Sequence, residues 1–112
     1  MLPPQHRLSN FKEFSEVARH GRKYFGPHFR VSIKVLQKPT PTKVGFVVSK
    51  KVARKAASRN LLKRRMRETV RREIFPTLPR NTYIVISALS GSVNLTYNDI
   101  TYEMQSIFSK VK

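Results

Sequence analysis

Cysteine is absent from the 112 residues, which excludes a disulfide framework and any thiolate metal site. No apolar run approaches the ~20 residues of a membrane-spanning helix. Residues Met1 to Leu8 hold no hydrophobic stretch of the kind a secretory signal needs. The expected setting is therefore the cytoplasm, with no membrane association. Internal repeats and low-complexity tracts are also lacking, and the length suits a single domain spanning 1–112 with a modest core.

Acids are scarce: Asp and Glu number six against 23 Lys plus Arg. Metal-assisted phosphodiester hydrolysis needs clustered carboxylates to hold its ions. Glu13 and Asp99 read as helix-cap residues, Glu68 is surrounded by arginines, and Glu16, Glu73 and Glu103 read as ordinary surface or pairing charges. His6, His20 and His28 fall near loops, without carboxylates to orient them. A metal-free nuclease built on paired histidines thus has little to work with. No metal site, bound cofactor or catalytic side chain is expected.

What the chain has is positive charge, +17 net. Self-repulsion on that scale opposes folding, and a polyanionic partner relieves it. A supercharged protein with no specific partner would share the composition, so the placement of the charges has to decide.

Residues 1–8, with Pro3 and Pro4, read as a loosely ordered lead-in. Asn10 followed by Glu13 reads as a capping box, and Phe11, Phe14, Val17 and Ala18 share a helical face that stops at Gly21. Phe29 to Leu36 alternates, with Phe29, Val31, Ile33 and Val35 on a greasy face and Arg30, Ser32 and Lys34 on a polar one. Val44 to Ser49 is a second strand, and the single loop between the two suggests an antiparallel pair. Pro76 and Pro79 end a basic helix. Tyr83 to Leu89 is a buried strand. Thr96 and Asp99 cap a last helix whose stripe is Ile100, Met104, Ile107, Phe108 and Val111. The class is α+β: a single-domain α/β sandwich in the order helix, strand, strand, helix, strand, helix, with an extra short strand possible near Arg22 to Tyr24.

The segment from Lys50 to Arg72 carries eleven Lys or Arg and one acid, Glu68. A basic run is usually a solvated face. Here, at ~100° per residue, Asn60, Lys63, Arg64, Arg67 and Arg71 fall in one arc about 100° wide. Leu62, Met66, Thr69 and Val70 occupy another and should dock on the sheet. Arg65 and Arg72 lie outside the basic arc, at pairing distance from Glu68. Like charges four apart repel, and several on one face make sense where phosphates will lie. RNA or DNA contact is the expectation.

Val48-Ser49-Lys50-Lys51-Val52, followed by Arg59-Asn60-Leu61-Leu62-Lys63-Arg64-Arg65-Met66-Arg67-Glu68, resembles the signature of the bacterial ribonuclease P protein component: a strand ending in Ser-Lys-Lys, then a basic helix opening with Arg-Asn. The similarity extends through Arg7-Leu8, Glu13-Phe14, Gly21, Phe29, Val44-Gly45 and Tyr83-Ile84-Val85-Ile86, over nearly the whole chain. The resemblance implies a ribosomal S5 domain 2-like sandwich with a left-handed crossover. It implies a subunit that assists a catalytic RNA in removing the 5′ leader of precursor tRNA, with Mg2+ required by the RNA and no protein partner needed. Carried over by position, it implies catalytic-RNA contacts at Arg59, Asn60, Lys63, Arg64, Arg67 and Arg71. It also implies a leader cleft between the first helix and the sheet, for which Phe14, Arg30, Lys34, Ser49, Lys50 and Lys51 are the candidates. Ala18 and Ser32 stand where aromatics are frequent in the family. Stacking contributes roughly 1–3 kcal/mol per base, so leader binding here is expected to lean on charge. Two other readings compete. One is a ribosomal or other structural RNA-binding protein. The other is a helix-turn-helix DNA binder, which would need a pair of short helices that the sequence does not show.

Overall fold

The structure is a computed structural model and describes residues 4–8 and 10–111. Helix α1 (Phe11–His20) is capped by Asn10, whose side chain accepts the N–H groups of Lys12 and Glu13. The expected capping box is only half formed. The Glu13 carboxylate turns to the sheet, accepting the Tyr83 hydroxyl at 2.8 Å and lying 3.6 Å from the Lys43 ammonium. A buried hydroxyl needs an acceptor more than a solvated cap does. Burial first, and the bond to Glu13 second, push the Tyr83 phenol above its ordinary pKa. Gly21 ends α1 in extended backbone at φ −73°. Close approach is what demands glycine there, since a Cβ would sit 2.5 Å from the Val17 carbonyl oxygen and 3.1 Å from that of Ile33.

Strands β1 (Arg22–Phe25), β2 (Phe29–Val35), β3 (Lys43–Val47) and β4 (Thr82–Ala88) form one sheet in the order β1-β2-β4-β3. The antiparallel pairing of β2 with β3 that the sequence suggested is therefore wrong. β4 lies between them, antiparallel to β2 and parallel to β3. Tyr83 to Ile86 are buried in succession, and a strand apolar on both faces takes the centre of a two-sided sheet. Because β3 and β4 are parallel, their link must cross the sheet, and it runs through α2 (Ala56–Thr69). The extra short strand materialises as β1, paired with β2.

Helices α2 and α3 (Tyr97–Phe108) cover one face of the sheet. There Phe29, Val31, Ile33, Ile84 and Ile86 meet Leu62, Met66, Ile100, Met104 and Ile107. α1 covers part of the other face, where Val17 joins Tyr83, Val85 and Leu8. Thr96 and Asp99 form a reciprocal capping box. The Thr96 backbone N–H holds the Asp99 carboxyl below its ordinary range. That stabilisation is present above the unfolded-chain value and is lost as pH falls through the lower, folded one.

Three further expectations are corrected. Of the lead-in, residues 4–8 are docked: Leu8 is buried and its N–H donates to the Val44 carbonyl, because its side chain completes the smaller core. The basic helix does not simply end at its prolines. It passes into a π turn (Val70–Ile74) and a 3-10 turn (Phe75–Thr77), which keep Val70 and Ile74 both buried.

Glu103 is no surface charge either. It is 8% exposed and accepts the His28 backbone N–H at 2.7 Å and pairs with its Nδ1 at 2.8 Å. His28 thus has the orienting carboxylate that the sequence hid. This pair pins the β1–β2 hairpin to α3. Replacing Glu103 by alanine strands a part-buried donor, and we expect a loss of about 1–3 kcal/mol in thermal or urea unfolding. An unchanged midpoint would refute the anchoring role.

Candidate nucleic-acid interface

Two surfaces carry the residues that the sequence singled out. The first is the outer face of α2. Leu62, Met66 and Thr69 are buried beneath it, which fixes the rotation of the helix and turns Asn60, Lys63, Arg64 and Arg67 outward. Asn60 and Arg64 are exposed, and Lys63 and Arg67 are half-exposed. Among the described residues none of Lys63, Arg64 or Arg67 has an acidic partner. At the start of the helix Lys55 occupies the cap position, with no capping side chain and no acid in the first turn. The free N–H groups there add to the positive field.

The other two members of the set are more committed. Arg59 bends back, and its Nη1 donates to the Ala53 and Arg54 carbonyls at 3.1 and 2.7 Å, tying the preceding turn to the helix. Arg71 sits in the π turn and binds Glu68 through Nη2 at 2.5 Å. That hydrogen bond lowers the Glu68 carboxyl below its ordinary range. The Glu68 partner expected from ideal helical spacing was Arg65 or Arg72. Arg65 instead donates to the Leu95 carbonyl at 2.9 Å, because the segment leading into α3 packs beside it.

The second surface is the face of the sheet that α1 covers only in part. Register places side chains in rows across the strands. Lys43, Tyr83 and Lys34 form one row; Gly45, Val85, Ser32 and Lys23 form the next; Val47, Ser87, Arg30 and Phe25 form a third. α1 sits over the first two. Glu16 pairs with Lys34, which holds the Glu16 carboxyl below its ordinary range, and Lys23 donates to the Ala18 carbonyl. The Phe14 ring lies against Gly45, where a Cβ would come within 2.3 Å of its Cζ. The third row is left open as a trough beside α1.

Beyond its β3 end, the Ser49 carbonyl accepts the N–H groups of Val52 and Ala53. That turn leaves Ser49, Lys50 and Lys51 exposed. Of the leader candidates, Arg30 stands in the third row, Phe14 lies against Gly45 in the row beside it, and Ser49, Lys50 and Lys51 follow the end of β3. Lys34 is drawn away to Glu16 under the helix. Phe25 and Val47, which the sequence reading passed over, line the trough as exposed apolar residues. The alternation of Lys23 and Phe25 on a short strand was the available signal.

Among the described residues no group of three His, Cys, Asp or Glu could hold a metal ion. A cavity of about 620 Å³ at the far end of the sheet is lined by His6, Phe75, Arg80 and Asn81, but His6 Nδ1 is bonded to the Thr42 carbonyl. No helix among the described residues is long and apolar enough to cross a membrane.

The model of the family described as Ribonuclease P matches residues 2–112. A ribonuclease P protein component of a Pseudanabaena species is 31% identical over 112 residues, covering 100% of this chain and 96% of its own length. One from an Exiguobacterium species is 35% identical, covering 99% and 94%. Among solved structures, the RNase P protein of Staphylococcus aureus superposes with a TM-score of 0.83 at 20% identity, covering 96% of this chain and 95% of that one. That of Thermotoga maritima gives a TM-score of 0.81 at 22% identity, covering 95% and 97%. These two establish the fold. Matched along nearly its whole length by the family and by its curated relatives, the chain belongs to the bacterial ribonuclease P protein family.

Proposed function

We propose that this chain is the protein subunit of a ribonuclease P ribonucleoprotein, that α2 docks on the catalytic RNA, and that the trough beside α1 holds the 5′ leader of precursor tRNA. The observation that carries this reading is the outer face of α2, where Lys63, Arg64 and Arg67 lie together without an acidic partner among the described residues. Protein cations left unneutralised on a face fixed by core packing are complementary to phosphates. Asn60 adds a hydrogen-bonding group beside them. Arg59 supports the face by holding the turn before it, and Arg71 contributes at its margin, with its charge shared by Glu68.

All six acids are engaged elsewhere. Glu13 goes to Tyr83 and Lys43, Glu16 to Lys34, Glu68 to Arg71, Glu73 to Gln105, Asp99 to its cap, and Glu103 to His28. On this reading the protein supplies charge and position, and the hydrolytic chemistry would come from magnesium ions held by the RNA. The subunit replaces part of the cation atmosphere that the folded RNA must otherwise recruit.

The test is cleavage of precursor tRNA by the catalytic RNA with and without this protein across a magnesium series. The reconstituted complex should cleave at magnesium concentrations where the RNA alone is silent. A structural RNA-binding protein with no processing role gives the other outcome, the same magnesium requirement with and without protein, and that result would overturn the reading.

A further inference from the structure

The open row of the sheet has a composition that its neighbours lack. Phe25 lies directly across the β1–β2 ladder from Arg30, so both side chains stand on one face with Cβ atoms roughly 5 Å apart. Tyr24 packs into the opposite core, which leaves the Phe25 ring on the trough side, 59% exposed. A lone exposed phenylalanine is ordinary on a protein surface. This one is not alone: Arg30 beside it is partly exposed and has no acidic partner among the described residues, and an uncompensated guanidinium suits a phosphate. The position on β2 under α1 gives no such platform, because Ser32 is only 4% exposed, covered by the helix.

We propose that Phe25 is a base-stacking residue which, with Arg30, forms a subsite for one nucleotide of a single-stranded leader. The inference rests on the trough being the leader site. The ring offers a π-face to the base, and the guanidinium offers charge-assisted hydrogen bonds to the adjoining phosphate or ribose oxygens. A single-stranded partner is favoured over a duplex because only an unstacked base exposes its face to the ring. In this chain the aromatic platform sits one strand further out than Ser32, on the edge strand β1. Leader binding here thus combines stacking with charge, where the sequence alone suggested charge.

The test uses the holoenzyme reconstituted with its catalytic RNA and compares precursor tRNA with mature tRNA. Phe25→Leu keeps apolar bulk and removes the ring; it should weaken precursor binding about tenfold and leave mature tRNA binding unchanged, while Phe25→Tyr should bind both as the parent does. Thermal melting of each variant checks that the fold is kept. The parent chain contains no tryptophan, so Phe25→Trp places a single indole in the trough. Its emission should be quenched by precursor tRNA and not by mature tRNA.

The double substitution Arg30→Ala with Lys50→Ala tests the trough itself. If it loses precursor selectivity while Phe25→Leu binds as the parent does, the stacking proposal is overturned and the leader trough stands. If neither set of substitutions changes precursor binding relative to mature tRNA binding, the trough reading fails and the subsite fails with it. Equal losses for both RNAs on Phe25→Leu would also overturn the proposal, since a leader contact cannot affect an RNA that has no leader.

Discussion

Replacing Arg64 and Arg67 together by alanine should lower affinity for the catalytic RNA at least tenfold more than replacing Lys38 and Arg80 together. Each pair removes two positive charges, so long-range attraction falls alike in both variants. The difference lies in position. Arg64 and Arg67 stand on the outer face of α2, whose rotation is fixed by Leu62 and Met66 in the core. Lys38 and Arg80 are exposed on loops at the far end of the sheet. A charge-assisted hydrogen bond to phosphate contributes about 1.5–3 kcal/mol, so two such contacts exceed the tenfold threshold comfortably. An exposed cation acting only at long range contributes a fraction of that. Arg65 would be a poor control although it lies off the basic arc, because its bond to the Leu95 carbonyl would make its loss a packing defect. Melting temperatures should change little in either variant. Equal losses of affinity, measured by filter binding or titration at fixed salt, would show that bulk charge and not the geometry of this face accounts for binding.

The features that were legible in the sequence are those set by local spacing. The burial of Leu62, Met66, Thr69 and Val70 follows from a helical period over a continuous segment, and so does the stripe of Ile100, Met104 and Ile107. The Thr96–Asp99 box needs only three residues to close. The resemblance to the ribonuclease P protein component rested on an equally continuous motif, and the comparisons bear it out.

What was not legible depends on which segments meet. β2 and β3 are consecutive strands with one loop between them, and nothing within either segment shows that β4 will enter between them. The deciding quantity is the two-sided burial of β4, which only the assembled sheet reveals. The same holds for Glu103, whose partner His28 is 75 residues away, and for Tyr83, which takes Glu13 from its cap across 70. Arg71 shows a subtler limit. Its place on the basic arc follows from ~100° per residue, but Glu68, three residues before it, is also a helical neighbour and takes its guanidinium. The apolar face read on α1 is likewise only half right. Val17 is buried, whereas Phe11 is 84% exposed and Ala18 is exposed too. A helix face that is apolar and yet uncovered marked the second candidate surface, and periodicity alone could not distinguish it from core.

The largest expected effect is on salt dependence. If the face of α2 and the residues leading into it meet phosphates, each contact releases condensed counterions. The association constant with catalytic RNA then falls as a power of salt concentration, with a log–log slope of about −0.7 to −0.9 per contact. Lys63, Arg64 and Arg67, with Arg54 and Lys55 leading into the helix and Arg71 at its margin, make six to ten contacts a reasonable range. That range corresponds to a slope of roughly −4 to −9, and to a loss of affinity on the order of 10³ to 10⁵ between 50 and 200 mM salt. The variants of the first experiment sharpen the reading. Arg64→Ala with Arg67→Ala should make the slope shallower by about two units, since each phosphate contact contributes about one. Lys38→Ala with Arg80→Ala should leave the slope where it was. A parent slope near zero would mean that the basic face is not the binding face. A slope shifted equally by both pairs would mean that the protein acts as a diffuse polycation, and the positions of Arg64 and Arg67 on a fixed helix would then carry no information about how the RNA is held.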